Sequence, residues 1–184
     1  MLVGINDKTN YEDICETWEL WKDKPEEEFC VGGLGEPTKH PDFIPFLRTA
    51  GDIAHSYTTN GVILGTKLDP RRDELLEVTK EICVKGVEIQ VDPSLRRYQD
   101  VAIDLLTRHN VPIKLRHFVK DEGELERLKE LWKEQINIFE PAQENLKING
   151  LEPLKYDSFV MLKKNKIVMM KNVLDLRPIK IIEL

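Results

Sequence analysis

Between Met1 and Pro141 six short β-prone runs are separated by stretches whose apolar residues recur at helical spacing. The runs are MLVGI, EEFCVGGL, IAHSYTTNG, VEIQVDPS, VPIKLRHFV and INIFEP, and the connections are only a few residues long. Parallel strands must be joined by crossovers, so this alternation demands a mainly parallel α/β sheet. Five or six units are too few for a closed eight-stranded barrel. A curved, open partial barrel or a doubly wound sheet remains.

Local signals mark the helix limits. Pro25 ends the first helix, Pro41 sits in the first turn of PDFIPFLRTAGD, and Gly86 occupies a capping position after DPRRDELLEVTKEICVKG. LRRYQDVAIDLLTRHN and DEGELERLKELWKEQ are the next two helices, and Trp18, Trp21 and Trp132 stand at core spacing. After residue 150 the character changes. SFVMLKKNKIVMM reads as a hairpin turning at Lys163 to Asn165, and LRPIKIIEL as a further strand. Residues 1–150 are therefore expected to form the α/β unit, and 151–184 an antiparallel β extension over one edge or mouth of the sheet.

Composition narrows the classes. The chain has 184 residues, 41% hydrophobic and 33% charged, which is enough to bury a core and is not a disordered composition. A net charge of −6 speaks against a surface that coats nucleic acid. No apolar run reaches the roughly 18 residues of a membrane span. The opening MLVGINDKTNYED lacks the basic and apolar regions of a signal peptide, so a cytoplasmic location is expected. Cys15, Cys30 and Cys83 are odd in number and widely spaced, the pattern of small buried hydrophobes rather than of a disulfide or zinc framework.

In parallel sheets ligands bind where the strands' carboxyl ends gather. Those ends read Asn6-Asp7, Gly33-Leu34-Gly35-Glu36, Thr58-Thr59-Asn60-Gly61, Asp92-Pro93-Ser94, Arg116-His117 and Glu140-Pro141. The rim is polar and suits a zwitterionic or sugar-bearing small molecule. Glycines at 32, 33 and 35 point to positive φ or close backbone approach.

VGGLGEPTKHPDFIPFLRTA, followed by YTTNG, resembles the radical S-adenosylmethionine superfamily, in which a strand ends in Gly-Gly-Glu-Pro and the next in Thr-Asn-Gly. Leu34 is an insertion in the first motif. The likeness spans about residues 1–140. It implies an open, partial (β/α)6 barrel and a site for S-adenosylmethionine. The turn of Gly33, Gly35 and Glu36 matches the segment that takes the amino group of S-adenosylmethionine. Thr59 and Asn60 match the neighbouring wall of the pocket. Ser94, Lys114 and Arg116 match strands whose polar side chains contact ribose or carboxylate. The family also carries a [4Fe–4S] cluster on a Cys-x3-Cys-x2-Cys loop after the first strand. Here NDKTN follows that strand, and the three cysteines are not expected to converge, so no cluster and no radical chemistry are expected.

Other chemistries find little support. No zinc-hydrolase, phosphate-loop or nucleophile-elbow motif occurs. Glu36, Asp92 and Glu140 form a candidate carboxylate set on one rim. His117, beside Arg116, is the histidine placed to face the site; His40, His55 and His109 fall on a helix start, a strand interior and a helix end. Arg71, Arg72, Arg96 and Arg97 cluster near helix starts and read as a solvated face. Three functions follow: a binding or regulatory component with a pocket for S-adenosylmethionine or a related nucleoside, a radical enzyme whose cluster segment is missing, or a protein–protein interaction module.

Overall fold

All six runs form strands in the computed structural model: β1 Leu2–Gly4, β2 Phe29–Gly32, β3 Ala54–Thr59, β4 Gly86–Gln90, β5 Ile113–Val119 and β6 Ile136–Pro141. The structure describes residues 2–4, 15, 19, 29–32, 35–51, 54–83, 85–132, 136–141, 159–163, 166–170 and 178–183. Of these, 2–4, 29, 136–141, 159–163, 166–169, 179 and 182 are described by their backbone alone. Between the strands lie α1 Phe43–Ala50, a single turn α2 Val62–Gly65, α3 Arg72–Ile82, α4 Arg96–Arg108 and α5 Glu122–Trp132. Cys15 and Glu19 are helical, and the rest of the first expected helix, Trp18 and Trp21 included, lies outside the described residues.

The sheet order is β6-β5-β4-β3-β2-β1, continuing through β7 Phe159–Lys163, β8 Lys166–Met170 and β9 Pro178–Glu183. Every neighbouring pair from β1 to β6 is parallel. The chain thus adds strands in one direction, and right-handed crossovers then set the helices on a common face. In keeping with that, α1 packs on α3, and α2 on both α3 and α4. The C-terminal strands continue the same sheet: β7 joins β1 in parallel, and β8 and β9 follow antiparallel. The hairpin pairs Lys163 with Lys166, at the expected turn.

Alternation along each strand sends successive side chains to opposite faces. On the helix face Val31, Tyr57, Val87, Ile89, Leu115 and Val119 are buried with Phe43, Phe46, Leu47, Leu75, Val78, Leu106, Leu125, Leu128 and Trp132. Tyr57 meets Phe43 edge-on, with ring centroids 5.3 Å apart, and its hydroxyl bonds Thr79 of α3 at 2.9 Å. Burial, partly offset by that hydrogen bond, pushes the Tyr57 hydroxyl well above its ordinary range. Each fully buried side chain of this kind contributes roughly 1.5–3 kcal/mol. The opposite face of β3, β4 and β5 carries Ser56, Thr58, Glu88, Gln90, Lys114 and Arg116 instead.

Two local readings are corrected. Pro41 precedes α1 rather than entering its first turn, with Asp42 at the cap. α3 ends at Ile82, and Gly86 opens β4 with φ 82° while its N–H donates to the Cys83 carbonyl at 2.7 Å. The turn α2 has no amphipathic period to announce it, being four residues long. No helix among the described residues is long and apolar enough to cross a membrane.

Gly65 ends α2 where α4 crosses closely. A Cβ there would stand 2.1 Å from the Tyr98 carbonyl oxygen, a backbone atom that cannot swing away. Gly65→Ala is expected to lower the urea-unfolding free energy by about 1–3 kcal/mol, the cost of overpacking. An unchanged midpoint would show that α2 and α4 are not in this contact.

Candidate functional site

Beyond β2 the backbone turns at Gly35, whose φ of 104° excludes most side chains. Glu36 follows and caps the 3-10 turn Pro37–Lys39. Its Oε1 accepts from the Thr38 N–H at 3.2 Å, the Thr38 hydroxyl at 2.5 Å and the Thr59 hydroxyl at 2.7 Å. Its Oε2 accepts from the Asn60 N–H at 2.5 Å. One carboxylate therefore joins the mouths of β2 and β3. Charge-assisted bonds of this kind are about twice as strong as neutral ones.

The network runs on through Asn60. Its side-chain oxygen accepts from the Val62 N–H at 2.9 Å and starts α2, while the Thr59 hydroxyl oxygen accepts from the Gly61 N–H at 3.0 Å. The Asn60 carbonyl accepts from Gln99 of α4 at 3.0 Å. The Gln99 amide also donates to the Gln90 carbonyl at 2.8 Å, and its oxygen accepts from the Asp92 N–H at 3.2 Å. Asp92 then accepts from the Ser94 N–H and hydroxyl at 2.8 and 2.7 Å. Glu36, Thr59, Asn60, Gln99, Asp92 and Ser94 thus form one hydrogen-bonded rim across three strand mouths.

Sequence reasoning named every member of that chain except Gln99, which is fully buried. Its signal was a polar residue on the apolar stripe of α4, in step with Ala102 and Leu106. Gly33 lies outside the described residues, as do Asn6 and Asp7, and the Glu140 side chain is not described. Glu36 and Asp92 are both occupied by the donors of their own turns.

Arg116 sits apart from the rim. β5 runs three residues past it to Val119, and its side chain is buried on the polar face, 3.8 Å from Glu88 and 4.8 Å above the Phe118 ring. Lys114, opposite Glu88 in register, is half-buried, as are Thr58 and Gln90. The expected arginine face is partly tied down: Arg71 donates to the Thr38 and Lys39 carbonyls, Arg72 to the Leu64 carbonyl, and Arg96 to the Leu131 carbonyl while lying 3.9 Å over Trp132.

His117 points to the helix face. Its Nδ1 is 2.8 Å from the Val91 carbonyl and its Nε2 3.4 Å from Glu124. Partial burial works to raise the Glu124 carboxyl, but the Lys120 N–H and His117 together hold it below the usual carboxylate range.

Of the three cysteines, Cys15 is half-buried and the other two are buried. Cys30 is buried in β2 and Cys83 is buried at the end of α3, where desolvation, aided by Cys30, pushes its thiol up to about 12. Cluster iron binds thiolates, so Cys83 would have to give up its proton to ligate. Among the described residues no three His, Cys, Asp or Glu side chains stand together as a metal site. No protein-family model matches this sequence, and a search of curated proteins finds none similar to it.

One outcome checks the rim and another the His117–Glu124 contact. Gln99→Leu strands two carbonyls and one N–H inside the protein and is expected to cost about 2–4 kcal/mol in urea unfolding. The folded Glu124 carboxyl titrates below its unfolded value, so its contribution is complete above the unfolded value and disappears as pH falls through the folded one. The stability gap between the wild type and Glu124→Ala should accordingly be full at pH 7 and shrink on acidification below about pH 4.3. A gap that widens on acidification would refute the assignment.

Proposed function

We propose that this chain is a radical-SAM-like binding protein that holds S-adenosylmethionine or a related nucleoside at the strand mouths and does not cleave it. The observation that carries this reading is the Glu36 carboxylate, which fastens the GGLGEP turn to the TTNG turn on adjacent strands. The two motifs that resemble the family's are thereby one structural unit. Six parallel strands in sequential order are also what an open (β/α)6 barrel requires, with the polar face of β3 to β5 as its interior.

The residues present suit such a ligand. The Glu36 side chain is spent on bracing, which leaves the backbone around Gly35 to meet the amino group. Asn60 and Ser94 border the same rim and suit ribose hydroxyls. Arg116 is paired with Glu88, and Lys114, half-buried beside it, is a cation suited to a carboxylate. Reductive cleavage would need an electron from a thiolate-bound cluster, and neither buried cysteine offers a ready ligand. Binding without turnover is therefore the activity assigned.

Titration calorimetry tests this. S-adenosylmethionine should bind to the wild type. Glu36→Gln puts an amide N–H against existing donors and should weaken binding at least about tenfold, or 1.4 kcal/mol. Methylthioadenosine lacks the amino-acid end but uses the same frame that Glu36 braces, so its affinity should fall with Glu36→Gln as well. No heat with either ligand at millimolar concentration would overturn the reading and favour a protein-interaction role.

A further inference from the structure

His117 is held between two hydrogen-bond acceptors. The Val91 carbonyl at Nδ1 can only accept, and the ionised Glu124 carboxylate at Nε2 can only accept. A neutral imidazole has one N–H, so either tautomer leaves a lone pair facing an oxygen. The imidazolium satisfies both contacts.

We infer that His117 is a proton-operated clasp that fastens the loop between β5 and α5 to the mouth of β4 when it is charged and releases it when it is neutral. The clasp has two anchors. On the β4 side the Val91 N–H donates to the Arg116 carbonyl at 2.7 Å, so the carbonyl that receives His117 is fixed. On the loop side Glu124 also accepts from the Lys120 N–H at 2.8 Å, and its own N–H donates to Asp121 at 2.8 Å. Releasing His117 leaves the Glu124 side chain held by Lys120 alone.

Among the described residues, these charged groups lie on the elements that meet the ring. Glu124 and Arg127 come from α5, Lys120 and Asp121 from the loop before it, and Asp92 from beyond Val91. Asp92 is taken by Ser94 and Asp121 by the Glu124 N–H, which leaves Glu124 as the acid in contact with the ring. On β6 the residue in register is Phe139. Glu124 is held below its ordinary range, so it stays ionised from pH 5 to 8, the window in which histidine as a residue type changes charge. A depression of about 290 Å³ lined by Lys120, Asp121, Gly123, Glu124 and Arg127 adjoins the clasp, and its wall is the segment that would be freed.

Amide hydrogen exchange of the whole chain, corrected for intrinsic rates, provides the test. Protection of the Lys120 and Glu124 amides should fall roughly two- to fivefold from pH 5.5 to pH 8, the scale of a partly exposed ion pair. In Glu124→Gln the new amide donates to neutral Nε2 while its oxygen still accepts from Lys120, so protection should no longer fall as pH rises. Imidazole nitrogen shifts should show Nδ1 keeping its proton while Nε2 loses one. Protection that is flat with pH in the wild type, a fall that persists in Glu124→Gln, or a neutral form protonated at Nε2 would each overturn the clasp.

Discussion

The Glu36 carboxylate fixes the geometry of the strand mouths. Adjacent parallel strands share a ladder, but the ladder stops at their ends, and the loops beyond need their own bonds. Glu36 supplies them across β2 and β3 by accepting two hydroxyls and two backbone N–H groups. Asn60, placed by that bond, offers its carbonyl to Gln99, and Gln99 carries the connection to β4 and Asp92. The rim is a sequence of such dependencies. Removing its first member loosens each later one.

Stability alone does not explain the other face of the sheet. A parallel sheet covered on both sides is normally apolar on both. The helix face follows that rule, whereas the other buries Glu88 and Arg116 to a few per cent exposure or less. A buried ion pair seldom outperforms apolar side chains of the same volume, because both ions lose their hydration. Positions 56, 58, 88, 90, 114 and 116 are polar on three adjacent strands, which makes this a designed surface rather than one exception.

Much of this architecture was legible in the sequence because it rests on local periods. Strands and long helices announce themselves through alternation and 3.6-residue spacing, and strand mouths through glycine, proline and asparagine. The turn at Gly35, the TTNG end of β3 and the Asp92-Ser94 cap were all readable in that way. What escaped depends on residues far apart in the chain. Gln99 matters because α4 passes over two strand ends, and no spacing within α4 says so. Arg116 looked terminal because VPIKLRHFV does not show where β5 stops. His117 was placed toward the site by its neighbour, but alternation sends it to the opposite face from Arg116.

That alternation separates positioning from recognition. Thr59 shares the helix face with Tyr57, so the hydroxyl it donates to Glu36 comes from the helix side of β3. Thr58, Gln90 and Lys114 point the other way and keep partial exposure. Only side chains not already satisfied within the protein can exchange water for a ligand at little cost. By that criterion the Glu36 and Asp92 carboxylates hold the frame, and under the binding role proposed above the half-buried polar residues of β3, β4 and β5 are the surface that would discriminate a ligand. Substitutions in the first group should act on every ligand through the frame, whereas substitutions in the second should act on one ligand at a time.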